Sequence, residues 1–211
     1  MDALLFWTVA TNTGAMSVTG VAAAVIAICL VYAGWRKHAL AWGLLFCGLL
    51  GMVLATKVAF FGWGLGIRSL DFTGLSGHAA RASAVFPVMA YLIFRKYGRA
   101  QRIAGTLLGV ALAMLASWSR VVVEAHSVSE AVSGCAAGLL AAGAALAVLR
   151  KVQGSISSAP LLLAAVLLLA PSPTASRYGA AALSHRFVVN LALLLSGRDK
   201  PYTREQMLTG R

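Results

Sequence analysis

Long apolar runs separated by short polar or glycine-rich breaks dominate the chain. They cover about residues 17–34, 40–60, 78–94, 103–119 and 128–149. Each approaches the roughly 20 residues that an α-helix needs to cross a hydrocarbon core, so each predicts a transmembrane helix. Residues 3–10 are too short to cross and predict an interfacial helix anchored by Trp7. A sixth run, residues 159–170, holds only about twelve residues bounded by Pro160 and Pro171, marginal for a full crossing. Residues 178–196 alternate small and bulky apolar groups with His185, Arg186 and Asn190, which predicts a helix in or on the membrane. From Arg198 onward the tail is polar and is expected to be loose. The chain therefore reads as one all-α domain over residues 1–211, a polytopic integral membrane protein with about six transmembrane helices and interfacial helices at its ends.

Composition agrees with that reading. Hydrophobic residues make up 60% of the chain and mean hydropathy is +0.82, which excludes an ordinary soluble domain. A formal charge of +12 would by itself suggest nucleic acid. Its distribution follows topology instead. The breaks after runs one, three and five carry Arg36 and Lys37, then Arg95, Lys96, Arg99 and Arg102, then Arg150 and Lys151. Those after runs two and four carry only Arg68 and Arg120. Eight basic residues against two place the first set in the cytoplasm, and no nucleic-acid partner is expected. The breaks after runs two and four then face outward, toward the periplasm of a bacterial inner membrane. Cys29, Cys47 and Cys135 lie inside apolar runs without a Cys-x-x-Cys pair and read as small core residues. No secretory signal is expected, since residues 1–16 include Asp2 and lack a basic leader.

The outward ends of the runs hold ionisable groups, which are costly near a bilayer and therefore candidates for function. Lys57 lies near the end of run two, and Leu-Ser-Gly-His at residues 75–78 leads into run three. Ser119 and Arg120 close run four, and His126 and Glu130 open run five. A helix N-terminus offers free N–H groups and a positive dipole end, and Gly77 lets an anion approach them. Arg120 can grip a phosphate with two donors, whereas Lys57 acts as a flexible point charge. His126 and Glu130 are spaced i, i+4, so the carboxylate can accept the imidazole N–H and fix its tautomer. The other ring nitrogen is then free to attack phosphorus, with His78 placed to protonate the departing oxygen. Metal-assisted hydrolysis needs clustered carboxylates. The six acids Asp2, Asp71, Glu124, Glu130, Asp199 and Glu205 form no ligand set, so no metal or cofactor is expected, and Glu124 reads as a rim residue.

Ser119-Arg120-x5-His126-x3-Glu130 and Ser76-Gly77-His78 resemble the last two motifs of the type 2 phosphatidate phosphatase superfamily. That superfamily includes membrane lipid phosphatases, lipid phosphotransferases, glucose-6-phosphatase and vanadium haloperoxidases. Its pattern is Lys-x6-Arg-Pro, Pro-Ser-Gly-His and Ser-Arg-x5-His-x3-Asp. The resemblance covers roughly residues 55–150, with the motifs themselves within 55–135. It implies His126 as a nucleophile forming a phosphohistidine, Glu130 as its orienting carboxylate and His78 as the general acid. It also implies phosphate contacts from Lys57, Ser76, Gly77, Ser119 and Arg120. Three positions depart from the pattern. Leu75 stands in place of the proline, and Glu130 in place of aspartate adds one methylene. Counting from Lys57, the arginine position falls on Gly64, and Arg68, four residues later, is expected to supply the guanidinium as Gly62, Gly64 and Gly66 let the loop fold inward.

The remaining features have plainer readings. His38 and His185 lie at helix ends and read as interfacial residues. Gly134-x3-Gly138 is a small-residue pair of the kind that packs membrane helices. Trp7, Trp35, Trp42, Trp63 and Trp118 lie near the ends of runs and are expected as interface anchors. The expected function is removal of a phosphate from a membrane lipid phosphate or diphosphate, with the lipid tail entering from the bilayer. A lipid-to-lipid phosphotransferase and a non-catalytic lipid-phosphate binder or transporter are the alternatives.

Overall fold

The computed structural model describes residues 3–154, 156–169 and 175–209. These form helices, turns and loops, with one isolated bridge between Ile67 and Phe72. The helices are α1 (Ala3–Asn12), α2 (Met16–Tyr32), α3 (Arg36–Trp63), α4 (Gly77–Phe94), α5 (Arg99–Val122), α6 (Val128–Leu149), α7 (Ala159–Leu169), α8 (Ala175–Ser196) and α9 (Arg204–Thr209). A 3-10 turn, Arg68–Leu70, lies between α3 and α4. Among the described residues, α3, α5 and α6 are long and apolar enough to cross a membrane, and α2 is a shorter apolar helix. α3 and α5 begin earlier than their apolar runs, at Arg36 and Arg99. Helical hydrogen bonding continues past the apolar edge there, because long basic side chains carry their charge outward to water.

The bundle is built for lipid on its outside. Large apolar residues such as Val21, Ile28, Leu40, Leu107 and Leu140 are exposed, while the interior is rich in alanine. Lipid tails remove the hydrophobic drive for helix association, so small residues that allow close packing take its place. α4 is the central helix, with fourteen of its 18 residues buried, packed against α2, α3, α5, α6 and α7. Gly134 and Gly138 bring α6 onto α4. A Cβ at Gly134 would lie 2.6 Å from the Ser76 carbonyl oxygen, and one at Gly138 would overlap the Ala80 carbonyl. Gly109 brings α5 onto the same helix, at the Phe86 carbonyl and the Pro87 backbone. Gly138→Ala is therefore expected to force α4 and α6 apart and to cost about 1–3 kcal/mol, read as a lower melting temperature in detergent. Gly143→Ala on the same helix, where a Cβ meets nothing within 4 Å, is the control expected to change little.

The two ends of the bundle differ. At one end Arg95 closes α4 onto α6: its guanidinium donates to the carbonyls of Leu149 (3.1 Å) and Val152 and stacks 4.9 Å from the Trp35 ring. At the other end the α3–α4 loop, the α5–α6 turn and the α1–α2 turn meet.

The C-terminal tail is not loose. It returns to this second end along α3, where Gly62, Gly64 and Gly66 leave bare backbone for it to pack on. The Ala192 carbonyl and Ser196 abut Gly62, the Tyr202 ring covers Gly64, and Met207 sits on Gly66. The Tyr202 N–H donates to the Phe61 carbonyl at 2.9 Å. Gly64 caps α3 in a left-handed conformation (φ 69°). The connection between α7 and α8, including residue 170 of the sixth run, lies outside the described residues.

Two expectations are corrected by burial. Trp42 is 2% exposed and donates its indole N–H to the Ala23 carbonyl at 2.9 Å, so it is a core residue joining α3 to α2 and no interface anchor. Cys47 is exposed on the outer surface of α3 and is no core residue. Helical rotation decides which face a residue takes, and an all-apolar run carries no period to reveal it.

Candidate active site

The loop before α4 is built to present a bare helix N-terminus. Gly74 (φ 134°) presses against the α3 backbone, where a Cβ would lie 3.3 Å from Lys57 N and from the Thr56 carbonyl carbon. The Leu75 N–H donates to Thr56 Oγ1 (3.2 Å) and the Ser76 N–H to the Glu130 backbone carbonyl (3.1 Å). The start of α4 is thereby tied to α3 on one side and to α6 on the other. Ser76 is the N-cap of α4, but its hydroxyl makes no cap bond; it is fully buried and has no partner among the described residues. Gly77 and His78 follow as the first helical residues.

Glu130 organises the opposite wall. It is 1% exposed and accepts five hydrogen bonds. Oε2 takes His126 Nδ1 (2.6 Å) and the Ser127 N–H (3.4 Å). Oε1 takes the Thr73 N–H (2.8 Å), the Thr73 hydroxyl and Arg204 Nη2 (2.7 Å). The bond to Ser127 is half of a capping box, completed by the Glu130 N–H donating to Ser127 Oγ at 3.3 Å. One carboxylate thus starts α6, orients His126 and holds the α3–α4 loop. An acceptor at Nδ1 requires the proton there, which leaves Nε2 with a free lone pair. His126 itself sits in a tight turn, its N–H donating to the Arg120 carbonyl (3.2 Å) across Glu124, which has φ 54°. Burial pulls the His126 imidazole below its usual value, and the Glu130 hydrogen bond opposes that shift.

Around these walls gathers positive charge. The groups whose charges bear on His78 are Arg120, Arg81, His126 and Lys57. Arg120 Nη1 donates to Thr11 Oγ1 (2.6 Å) at the end of α1, and its Nε is buried without a partner among the described residues. Arg81 Nη2 donates to the Gly14 carbonyl (3.1 Å), and its Nε is likewise buried and unpartnered. Among the described residues the ion pairs are His126–Glu130, Arg204–Asp71 and Arg204–Glu130, so neither Arg81 nor Arg120 has a carboxylate. Half-buried cations without counter-charges, beside a helix N-terminus with free N–H groups, form a seat for an oxyanion. Among the described residues no group of three His, Cys, Asp or Glu side chains is placed to hold a metal ion.

Lys57, Ser76, Gly77, His78, Arg120, His126 and Glu130 thus converge at one end of the bundle. One of the residues singled out from sequence stands elsewhere, and a second bonds its hydroxyl within its own helix. Arg68 is exposed on the 3-10 turn, and Asp71 beside that turn pairs with Arg204 at 2.7 Å. The Ser119 hydroxyl is fully buried and donates to the Ala116 carbonyl of its own helix at 2.7 Å. Sequence reading missed Thr73, Arg81 and Arg204. Arg81 carried a signal, a lone cation one turn inside an otherwise apolar run; Ser127-x-x-Glu130 carried the capping-box pattern. Arg204 carried none, because it reaches the site from 74 positions beyond Glu130.

A family model described as the PAP2 superfamily matches residues 63–153. A Klebsiella pneumoniae protein named "Uncharacterized 22.5 kDa protein in cps region" is 36% identical over 189 residues, which is 88% of this chain and 89% of that protein. No solved structure matches the chain.

Proposed function

The chain belongs to the PAP2 superfamily, and on that premise we propose that it is an integral membrane lipid phosphatase acting through a phosphohistidine. The observation that carries the reading is the His126–Glu130 pair, which leaves a nucleophilic nitrogen on a ring that feels the charges of Lys57 and Arg120. His126 Nε2 attacks phosphorus in line, and the P–O bond to the lipid breaks. Its oxygen leaves with a proton from His78. Water then attacks the phosphohistidine, His78 takes the proton, and orthophosphate departs from regenerated His126. Lys57, Arg120, the Ser76 hydroxyl and the N–H groups of α4 stabilise the charge on the equatorial oxygens. A phosphate dianion among these cations also supplies the negative charge that favours the imidazolium form of His78.

An apolar groove supports a lipid substrate over a soluble one. It measures about 630 Å³ between α5 and α6, and Met114, Leu115, Trp118, Val132, Cys135 and Leu139 are among its lining residues. Its lining includes Trp118 and Ala131, near Arg120 and Glu130 in the chain, and exposed Met114 and Val132 on the outside of the bundle, and its size suits an alkyl or prenyl chain. The topology in this reading is six crossings, α2 to α6 and α8, with α7 as a half-crossing. That arrangement begins and ends at the site's end, as the return of the tail to the α3–α4 loop requires. The breaks between helices at the Arg95 end carry eight basic residues against Arg68 and Arg120 in those at the site's end, with the tail's Arg198, Lys200 and Arg204 counted apart, and that loop bias supports a cytoplasmic Arg95 end and an outward-facing site.

The test is phosphate release by purified protein from a panel of lipid phosphates and diphosphates in mixed micelles, with the His126 variant as blank. Release without a second lipid supports hydrolysis; phosphate found only on an added acceptor lipid would show a phosphotransferase. The pH dependence has a definite sign. His126 must be neutral to attack, and its folded value lies below 6.5. The acid limb of the kcat/KM profile, which reports deprotonation of His126, is therefore expected below 6.5, at that lowered value. An acid limb centred above 6.5 would contradict the assignment.

A further inference from the structure

We infer that Arg81 is a phosphate-binding residue of this site and replaces the guanidinium that the first motif lacks. This rests on the phosphatase reading above and names a member of the cradle that the motifs do not contain. The loop that should provide the guanidinium cannot. Its arginine position is Gly64, in a left-handed conformation under the Tyr202 ring, and Arg68 is exposed.

Arg81 arrives from the other side. It lies one turn past Gly77 and His78 on α4, and long helical side chains run back toward the N-terminus over the preceding turn. Its guanidinium accordingly folds over Gly77, with Nη1 2.9 Å from where a Cβ on that glycine would stand. The head group is thus beside the free N–H groups of α4 and the unpartnered, fully buried Ser76 hydroxyl. Gly77 therefore has two uses, close approach of an anion and room for Arg81.

What Arg81 lacks is equally informative. Its only hydrogen bond among the described residues goes to a neutral carbonyl, that of Gly14, while its Nε is buried and empty-handed. A largely desolvated guanidinium with a buried, unused Nε and one neutral acceptor is costly unless an anion completes it. Arg120 is in the same condition on α5, held by Thr11 with Nε unpartnered. Two guanidiniums from adjacent helices, each with its Nε unused, suit the several oxygens of one phosphoryl group.

The competing role for Arg81 is structural, a tie between α4 and the α1–α2 turn through Gly14. Inorganic vanadate, which copies the phosphoryl geometry, separates the two. In detergent-solubilised protein, Arg81→Ala is expected to raise the vanadate inhibition constant about 100-fold, with partial rescue by added guanidinium. Arg81→Lys keeps the charge and the reach to Gly14 but loses the fork, and is expected to raise the constant about tenfold. It serves where the alanine variant does not fold. A vanadate constant within about twofold of wild type in either folded variant would overturn the inference and leave the phosphatase reading standing. Wild-type protein that neither binds vanadate nor releases phosphate would overturn both.

Discussion

Replacing His126 with alanine is expected to abolish phosphate release while the protein still inserts and folds. The substitution removes the bond-forming atom, so water must attack without a covalent intermediate. Loss of a preorganised group of this kind takes about two to three decades from the rate, and loss of the nucleophile itself takes more. The fold should survive because His126 makes one side-chain hydrogen bond, to Glu130, and that carboxylate keeps four other donors. Two measurements check this: phosphate release from the best lipid substrate, and covalent phosphoenzyme trapped by a rapid neutral quench. Wild type should show both and His126→Ala neither, with equal yields of folded protein in detergent. Near-normal turnover in the variant would refute the mechanism.

The second large effect is expected from Glu130→Gln, and it reaches both stability and chemistry. Every group touching the carboxylate is a donor: His126 and Ser127 on Oε2, Thr73 and Arg204 on Oε1. A glutamine must turn its NH2 toward one set. Facing His126, it demands an acceptor at Nδ1, which moves the proton to Nε2 and disarms the nucleophile. Facing the other way, it meets the Thr73 N–H and the Arg204 guanidinium and leaves that cation with Asp71 alone. Either choice should lower kcat by about two to three decades, the first through the wrong tautomer and the second through loss of the negative charge beside the cationic phosphohistidine ring. Loss of the charge-assisted bond from Arg204, whose side chain is 37% exposed, should also cost about 1.5–3 kcal/mol. A kcat fall with an unchanged melting temperature would show that the carboxylate orients the histidine without holding the fold. An unchanged kcat would remove Glu130 from the mechanism altogether.

Glu130 also explains a departure from the family pattern. The extra methylene lets a single carboxylate start α6, orient His126 and reach Thr73 and Arg204 across the end of the bundle. The spacing of His126 and Glu130 predicted only the second of these. The first was legible in Ser127-x-x-Glu130, since a capping box is a local pattern. The third was not, because Thr73 and Arg204 lie 57 and 74 positions away and nothing local points to them. Arg68 shows the reverse case. It had the right type near the right spacing, yet the loop turns it outward while the tail covers the glycines that were expected to fold it in.

Apolar run length was enough to place α2 to α6, because a helix in lipid must satisfy its own backbone and its span is set by hydrocarbon thickness. Run order then decided which ends share a face, and so brought Lys57, Ser76, His78, Arg120, His126 and Glu130 to one end. Only the tertiary structure decided how each helix is turned about its axis and how closely it meets its neighbours. Those rotations are set by glycines and alanines that match carbonyls on a different helix, a complementarity between distant residues with no periodic trace. They send Trp42 into the core, turn Cys47 outward, and lay the guanidinium of Arg81 over Gly77.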